Sequence, residues 1–464
     1  MFSIAPSARL RPSPFFETTV AEGVTAFTTY NHMLLPTSFG QPEAEYWRLI
    51  HGVSQWDVAA ERQVQLKGPD AGKLAQILAP RDLSKCVIGQ GKYVPLCNHQ
   101  GYLINDPILL KLADDLYWLS IADSNIWFWA GAIAAERGLR VEVSEPDVSP
   151  MALQGPKAVD VVAKVCGDWI KDLKYFWFRE TKIEGIPVIV ARSGWSKQGG
   201  YEIYLLDGTK GTKLWSIFKE AGRPFGIGPG NPSWCERIES GLISFGGDTD
   251  ALTTPFEVRM GKYVNLDVPD DTVGIEALRR CHREGPKRQS LGVMLDATEP
   301  ITQGFTWMPI RQRDEKIGDM TNCVFSYRLK KNIGFALVSA SCRPGETVEV
   351  EIASRRLPGK LTEYHLSESA EENISSHPVV LTPVRTQVDV STWGLVHLDA
   401  NLRWHDDYSP LYSSRFKDDR HTFTETLKAG AEAGGKRRPR CFTQPAGKAE
   451  CARCRGGRGA DHAV

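Results

Sequence analysis

The sequence has no excess charge of either sign and no long hydrophobic run. Its 464 residues carry 56 Lys and Arg against 56 Asp and Glu. A balanced chain offers no general electrostatic attraction to nucleic acid or to an anionic membrane surface. The most apolar stretch, 117–135, is interrupted by Asp123, Ser124 and Asn125, so it predicts a strand and a helix rather than a membrane span. We expect neither nucleic acid nor a membrane as a partner.

Cysteine is scarce, and the amino-terminal residues do not have the pattern of a secretion signal. Ten cysteines in 464 residues are too few for a small secreted scaffold held by disulfides. Residues 1–17 lack the apolar segment of a signal peptide. We therefore expect a cytoplasmic protein in a reducing compartment.

Motifs of the common hydrolase, nucleotide and metal sites are missing. The chain has no G-x-S-x-G, no H-E-x-x-H, no P-loop and no dinucleotide-binding fingerprint. The glycine-rich loop 226–232 lacks the spacing of a phosphate loop. Cys441, Cys451 and Cys454 include one C-x-x-C but no second pair, so we expect no metal site.

The chain divides into three regions that have different sequence patterns. Residues 15–275 alternate strand and helix patterns, and several links are too short for crossovers, which predicts an α+β core with mainly antiparallel strands. Residues 286–363 hold short strands separated by turns and predict a small β-barrel. Residues 364–464 lose this pattern. Within them, 429–464 has eight Lys and Arg against three acids, which is typical of a disordered basic tail.

The clearest predicted helix runs from Ser233 to Phe245. A loop rich in glycine and proline precedes it, Ser233 and Glu236 have the spacing of a capping box, and two glycines follow it. Asp70 and Ser124 are expected to cap two earlier helices.

Two polar segments set among aromatic residues are candidates for chemistry. Asp106 precedes a proline at a strand or turn boundary, where an ordinary turn carboxylate is an equal alternative. Residues 193–204 combine glycines, which permit close backbone approach to a ligand, with the carboxylate of Glu202 and the aromatic faces of Trp195, Tyr201 and Tyr204. The alternative for this second segment is a hairpin with a solvated Glu.

Two further segments carry weaker signals. Arg237 and Glu239 lie on the Ser233 helix, where a surface ion pair is the alternative to a binding role. Tyr30 to Met33 includes His32, a residue type that more often makes structural hydrogen bonds than ligand contacts.

In their order along the chain, these segments resemble the glycine-cleavage T-protein (aminomethyltransferase) family, which uses tetrahydrofolate. The resemblance covers about residues 15–361 and rests on segments 52–58, 67–71, 101–106, 199–203, 237–248, 333–336 and 355–360. It implies a three-domain folate-binding fold around a central channel, in which two interleaved ferredoxin-like halves in 15–275 are followed by a β-barrel in 286–363. It also implies that Asp106 lies near the reacting folate nitrogen, that Glu202 bonds the pterin edge, and that Tyr201 and Arg237 contact folate.

Within the family, the chain is most similar to the branch that demethylates dimethylsulfoniopropionate. Segments 30–36 and 193–204 carry this likeness, as does Asn105-Asp106 in place of the usual pair of aspartates. It implies that Asp106 assists transfer of a sulfonium methyl group to tetrahydrofolate, the methyl-accepting co-substrate, with methylmercaptopropionate as the other product. The aromatic candidates for the cationic substrate are Tyr30, Trp177, Trp195 and Tyr204. The donor to the substrate carboxylate stays open among Tyr, Ser, Lys197 and a backbone amide.

Two other functions remain as alternatives on the same fold. One is an aminomethyltransferase of the glycine cleavage system or a dimethylglycine-type enzyme, although no flavin fingerprint occurs. The other is a folate-binding protein without enzymatic activity, whose K-G-C-Y-type signature is replaced here by a segment without Cys at 255–263. A homodimer is one option for the oligomeric state.

Overall fold

The computed structural model describes residues 9–301 and 306–364. The basic tail predicted from the sequence, with its three cysteines, lies outside the described residues beyond Tyr364. Eight α-helices occur in the described residues: Phe16–Ala21, Pro42–His51, Ala71–Leu78, Ile126–Glu136, Ala158–Cys166, Gly211–Gly222, Trp234–Glu239 and Ile275–Glu284. Short 3-10 helices occur at Asp168–Asp172, Gly208–Lys210, Arg223–Phe225 and Gly261–Tyr263.

A six-stranded sheet forms the larger layer of the amino-terminal region. Its strands lie in the spatial order Phe178–Ile183, Ile186–Ala191, Gly200–Leu205, Ser149–Gln154, Ser54–Asp57 and Gly228–Gly230. Only the last pair is parallel. Two helices cover one face, and their buried side chains Val161, Leu214 and Phe218 share a core with Met151 and Ile203 of the sheet. This burial is the main source of stability for such a layer.

A second, five-stranded sheet is entirely antiparallel. Its order is Glu142–Ser144, Gln63–Lys67, Leu116–Ser120, Ile108–Ala113 and Gly91–Tyr93. The apolar sides of helices Ala71–Leu78 and Ile126–Glu136 share its core. An apolar cluster that includes Trp118, Ile189 and Tyr204 joins this sheet to the six-stranded sheet. Two helix-covered sheets therefore face each other, as an α+β fold requires.

Two short hairpins lie outside these sheets. Ala26–Tyr30 pairs with Met33–Ser38, and Leu96–Cys97 pairs with Leu103–Asn105. The second hairpin ends directly before Asp106, so it delivers that residue to the space beside the sheets.

A β-barrel follows at the carboxyl side. Its strands run in the order Arg288–Leu295, Arg355–Thr362, Thr347–Ile352, Met308–Gln312, Glu315–Met320, Lys331–Ser339 and Val324–Ser326. The pairing of Arg288–Leu295 with Lys331–Ser339 closes six of these strands into a barrel. The barrel encloses its own apolar core, with Val293, Ile310 and Val338 among the buried residues. The prediction of an α+β core followed by a small barrel is confirmed.

The prediction of a helix from Ser233 to Phe245 is wrong in its length, because the helix is shorter. The Ser233 hydroxyl does accept a hydrogen bond from the Glu236 amide at 3.2 Å, but the helix ends at Glu239. Gly241 adopts a φ of +71°, and the Leu242 amide donates to the Arg237 carbonyl at 2.7 Å. Such a left-handed glycine with a bond back to the last turn terminates a helix. The chain is thus released early and continues as a loop.

The expected helix caps at Asp70 and Ser124 are not formed by those side chains. The Asp70 carboxylate accepts from the Arg140 amide at 2.9 Å, and the Ser124 hydroxyl donates to the Ile104 carbonyl at 2.9 Å. Both side chains connect distant segments, so tertiary contacts replaced the local hydrogen bonds. The helices still begin next to them, at Ala71 and Ile126.

Candidate functional site

A cavity of about 670 Å³ lies where the two sheets, the first hairpin and the loops before the barrel meet. This volume is within the range of small-molecule sites, about 300–1,000 Å³. Its lining is rich in aromatic and ionisable side chains. They are Tyr30, Glu61, Tyr93, Asp106, Tyr175, Phe176, Trp195, Lys197, Glu202, Trp234, Phe245, Arg259, Lys262, Tyr263 and Tyr364.

Asp106 is held at the cavity wall by its neighbour in the sequence. Asn105 is fully buried, and its amide donates to the Ala122 carbonyl and the Ser124 hydroxyl, each at 2.9 Å. Its side-chain oxygen accepts from the Asp106 backbone amide at 2.9 Å. Because both polar atoms of the Asn105 side chain are hydrogen-bonded, the backbone at Asp106 has little freedom.

The Asp106 carboxyl carries an unusual proton affinity. Burial is the main cause that raises its pKa, and the nearby Asp248 carboxylate raises it further. Hydrogen bonds, chiefly from the Tyr93 hydroxyl, lower the pKa, and the net value is about 7. The Tyr93 hydroxyl donates to Asp106 at 2.7 Å. A carboxyl with a pKa near neutrality can accept a proton and also exist as an anion at working pH.

Glu202, on strand Gly200–Leu205, also lines the cavity. Side chains alternate along a strand, so Glu202 and Tyr204 face the other sheet while Tyr201 faces the helix-covered core. Glu202 is 6% exposed and accepts hydrogen bonds from the Ser193 and Tyr204 hydroxyls. Burial raises its pKa. The alternative of a solvated Glu is therefore wrong.

Glu61 is a third carboxyl of the cavity, and sequence analysis did not identify it. It follows strand Ser54–Asp57 in a bend and lines the cavity. Burial raises its pKa well above the usual value, and the carboxylates of Glu202 and Asp106 raise it further. Its place three residues after segment 52–58, which carries part of the family resemblance, is the signal that could have found it.

Tyr30 reaches the cavity from the end of strand Ala26–Tyr30. Asn31 and His32 form the hairpin turn with φ of 48° and 62°. The Asn31 amide donates to the Ala60 carbonyl at 3.0 Å and the Ala122 carbonyl at 3.2 Å. These bonds tie the hairpin to the segments next to Glu61 and Asp106. His32 is an exposed turn residue.

Arg237 lies behind the cavity wall, not in its lining. It is fully buried and pairs with Asp248 at 2.6 Å. Its guanidinium stacks 4.3 Å from the Trp234 ring and 5.6 Å from the Trp195 ring, and both of these rings line the cavity. Arg237 therefore backs the aromatic wall, and the alternative of a surface ion pair is wrong.

Three of the other predicted site residues also lie outside the lining. The Tyr201 hydroxyl donates to the Ile170 carbonyl at 3.1 Å inside the helix-covered core, and the Tyr204 hydroxyl donates to Glu202 at 3.2 Å from behind the lining. Trp177 pairs with Gln90 in an isolated bridge and has Lys174 at 6.0 Å from its ring. The structure thus brings Tyr30, Asp106, Trp195 and Glu202 together.

Metal ligands do not converge anywhere in the part of the chain that the structure describes. No group of three or more His, Cys, Asp or Glu side chains there has the geometry to hold an ion.

Among residues 9–301 and 306–364, no helix combines the length and the apolar character needed to cross a bilayer.

Two protein-family models match the chain. The model of the GCVT N-terminal domain matches residues 15–268, and that of the glycine cleavage T-protein C-terminal barrel domain matches residues 288–366.

Individual relatives cover most of the chain. It is 41% identical over 352 residues to the dimethylsulfoniopropionate demethylase DmdA of Ruegeria pomeroyi, which covers 76% of this chain and 96% of the relative. It is 29% identical to an aminomethyltransferase of Caldanaerobacter subterraneus, over 70% of this chain and 87% of that one. The crystal structure of the glycine cleavage system aminomethyltransferase T from Bartonella henselae superposes with a TM-score of 0.68 at 21% identity, covering 77% of this chain and 98% of that one. This last likeness concerns the fold alone.

Proposed function

The chain belongs to the glycine cleavage T-protein family, and from this premise we propose that it transfers the sulfonium methyl group of dimethylsulfoniopropionate to tetrahydrofolate. The products are methylmercaptopropionate and 5-methyltetrahydrofolate. The identity of 41% to a demethylase, against 29% to an aminomethyltransferase, supports this substrate. The observation that carries the proposal is one cavity in which a carboxyl with a pKa of about 7 faces aromatic rings.

The reaction requires no covalent bond between the protein and either substrate. A sulfonium methyl is activated because its leaving group is a neutral thioether. The S–CH₃ bond breaks as the bond from the methyl carbon to N5 of the folate forms, so positive charge passes from sulfur to nitrogen. N5 then loses its proton. The chain must therefore align two small molecules, stabilise the moving charge and receive one proton.

Asp106 is suited to the last two tasks. As an anion, it favours the positive charge that develops on a nitrogen beside it, and this electrostatic effect is stronger in the low-dielectric surroundings of a cavity than in bulk water. With a pKa of about 7 it can also accept the proton, directly or through a water molecule. The Tyr93 hydroxyl and the Asn105 side chain fix its position during both events.

Glu202 is suited to recognise the edge of the pterin ring. That edge presents N–H donors, and a carboxylate that accepts two of them in parallel fixes the plane of the ring. The Ser193 and Tyr204 hydroxyls hold the Glu202 carboxylate from behind. Holding the methyl group and N5 in line at near-contact distance contributes up to about 7–11 kcal/mol in favourable systems.

The aromatic wall is suited to the cationic donor. Tyr30 and Trp195 present ring faces to the cavity, and each such contact contributes about 0.5–2 kcal/mol to binding of a cation. Arg237 has a positioning role in this proposal, because it stacks behind Trp195 and Trp234 instead of reaching the folate. Lys197 lines the same cavity and is suited to attract the substrate carboxylate.

The test is a methyl-acceptor screen. Purified protein is mixed with tetrahydrofolate and dimethylsulfoniopropionate, and both products are quantified by liquid chromatography and mass spectrometry. Parallel reactions contain glycine betaine, dimethylglycine or an aminomethyl-lipoyl carrier protein as the donor. Turnover of one of these with none of the sulfonium would refute the proposed substrate. Folate binding without any turnover would favour a binding protein instead.

The location and assembly state belong to this proposal as well. The seven cysteines in the described part of the chain are free thiols, which supports a reducing compartment such as the cytoplasm. The balanced charge supports small molecules, and not nucleic acid, as the partners. The homodimer stays a prediction, which light scattering of the purified protein would test.

A further inference from the structure

The three carboxyls of the cavity differ in how the protein engages them. The Tyr93 hydroxyl bonds Asp106, and the Ser193 and Tyr204 hydroxyls bond Glu202. No hydrogen bond or ion pair from any described residue reaches the carboxyl of Glu61. A carboxyl held in a cavity without a protein partner costs free energy, and a cationic ligand would offset that cost.

The cationic side chain nearest to Glu61 in the sequence does not neutralise it. Arg62 turns away, pairs with Glu145 and donates to the Asn31 carbonyl at 3.3 Å. The carboxylates of Glu202 and Asp106 act on Glu61 in the unfavourable direction and raise its pKa. This region of the cavity is therefore short of positive charge. A cation that enters it favours the ionised form of Glu61 and relieves the repulsion among the three groups.

Two tyrosines lie close enough to Glu61 to be affected by its charge. The Glu61 charge raises the pKa of the Tyr30 and Tyr204 hydroxyls, which places both hydroxyls within its field. Tyr30 lines the cavity. A sulfonium has no N–H to donate, so a protein can recognise it only through its charge, its shape and its contact with ring faces.

We propose that the Glu61 carboxylate is the counter-charge for the cationic sulfur and determines the preference of the enzyme for a positively charged methyl donor. This inference rests on the function proposed above and deepens it. The charge on sulfur disappears when the methyl group leaves. The thioether product then loses its attraction to Glu61, which favours its release over that of unreacted substrate.

The test compares the substrate with its neutral carbon isostere. In 4-methylpentanoate a CH group replaces the charged sulfur while the dimethyl end and the carboxylate remain. KM is measured for dimethylsulfoniopropionate, and the inhibition constant is measured for 4-methylpentanoate. In Glu61→Gln, which keeps the shape and removes the charge, we expect KM to rise about 10- to 100-fold and the inhibition constant to change less than about threefold.

Matched variants separate charge from structure. Glu61→Asp keeps the charge and should recover part of the lost preference. Glu142→Gln removes an exposed carboxyl from strand Glu142–Ser144 and should change neither constant. If Glu61→Gln does not fold, Glu61→Met gives the same comparison with an apolar side chain.

Three outcomes would overturn the inference. They are equal affinity of the wild-type protein for substrate and isostere, an unchanged KM in Glu61→Gln, or equal weakening of both molecules in that variant. Each of these leaves methyl transfer by the wild-type protein intact. Failure of the proposed function would instead appear as absence of 5-methyltetrahydrofolate in the wild-type reaction, before any variant is made.

Discussion

The Tyr93 hydroxyl donates a 2.7 Å hydrogen bond to the Asp106 carboxylate at the wall of the cavity. The two residues belong to different sheets, since Tyr93 ends strand Gly91–Tyr93 and Asp106 follows strand Leu103–Asn105. The bond favours the charged form of Asp106 and so opposes the effect of burial, which raises the pKa of Asp106 to about 7. Burial and this contact, acting in opposite directions, are therefore the two largest influences on how much of Asp106 is ionised near neutral pH.

Removing that hydroxyl should shift the pH dependence of the reaction. In Tyr93→Phe the pKa of Asp106 rises further, because the charged form loses a donor. If catalysis needs the carboxylate, the acidic limb of the profile of kcat/KM against pH moves upward by about one unit. Initial rates between pH 5.5 and 9 measure this shift. Tyr263→Phe, which removes a second hydroxyl from the cavity lining, serves as the control and should leave the limb in place.

Replacing Asp106 should reduce turnover much more than folate binding. Asp106→Asn should lower kcat at least about 100-fold, because the variant has neither the anion nor the proton acceptor. Affinity for folate should fall much less. An unchanged kcat would remove Asp106 from the mechanism.

The same variant should gain stability at alkaline pH. A carboxyl whose pKa is raised on folding stabilises fully below its unfolded pKa of about 3.9, and this stability is lost as pH rises through its folded pKa. For Asp106 this loss of stability therefore occurs between about pH 4 and about pH 7. Asp106→Asn should be more stable than the wild type by about 1–3 kcal/mol at pH 8, a value reduced because the side chain is only half-buried. Urea titrations at pH 5 and 8 would show it, and an equal difference at both pH values would contradict it.

The buried ion pair behind the aromatic wall should matter for folding and for substrate affinity. In Arg237→Met, Asp248 stays buried without its cation, and we expect a loss of about 3–5 kcal/mol in the free energy of unfolding. KM for the sulfonium should also rise, since Trp195 and Trp234 lose the guanidinium that backs them. Arg223→Met, which breaks an exposed pair with Glu220, is the control and should cost less than about 1 kcal/mol. Equal losses in both variants would show that burial of the pair is irrelevant.

Two glycines of the 193–204 segment allow a matched test of close packing. A Cβ at Gly194 would collide with the side chain of Gln154, whereas a Cβ at Gly199 would meet nothing within 4 Å. Both residues have positive φ, so both substitutions by alanine carry backbone strain. Only Gly194→Ala should displace the neighbouring Trp195, and we expect its kcat/KM to fall at least about tenfold below that of Gly199→Ala. Steady-state kinetics of the two variants decide this, and similar values would mean that the collision relaxes without moving the site.

Local patterns in the sequence predicted the elements well where one face of an element had to be buried. The turn between Ile183 and Ile186 and the strand Gly200–Leu205 lie where the sequence alternates apolar residues, because such alternation specifies a strand and its register. The barrel followed from its short strands for the same reason. The alternation that places Glu202 in the cavity also excludes Tyr201 from it, and this consequence could have been drawn from the sequence.

Ends of elements were harder to predict. The helix from Trp234 stops at Glu239, although residues up to Phe245 could have continued it. Asp248 receives hydrogen bonds from the Ser244 amide and the Thr321 hydroxyl as well as from Arg237. Thr321 lies 73 residues from Asp248 in the chain. Local propensity cannot contain such contacts, and their sum outweighs the few tenths of a kcal/mol that each further helical residue contributes.

The sequence by itself determined the fold class and the family and marked Asp106 and Glu202 as candidate site residues, because strand alternation and ordered motifs are local properties of a chain. Only the tertiary structure decided that Glu61 lies with these two carboxyls and that Arg237 supports the wall from behind. Both outcomes depend on which side chains meet across separate sheets and on how far each is removed from water. Desolvation and Coulomb interactions act through space, so the proton affinities that define the site have no counterpart in the order of residues.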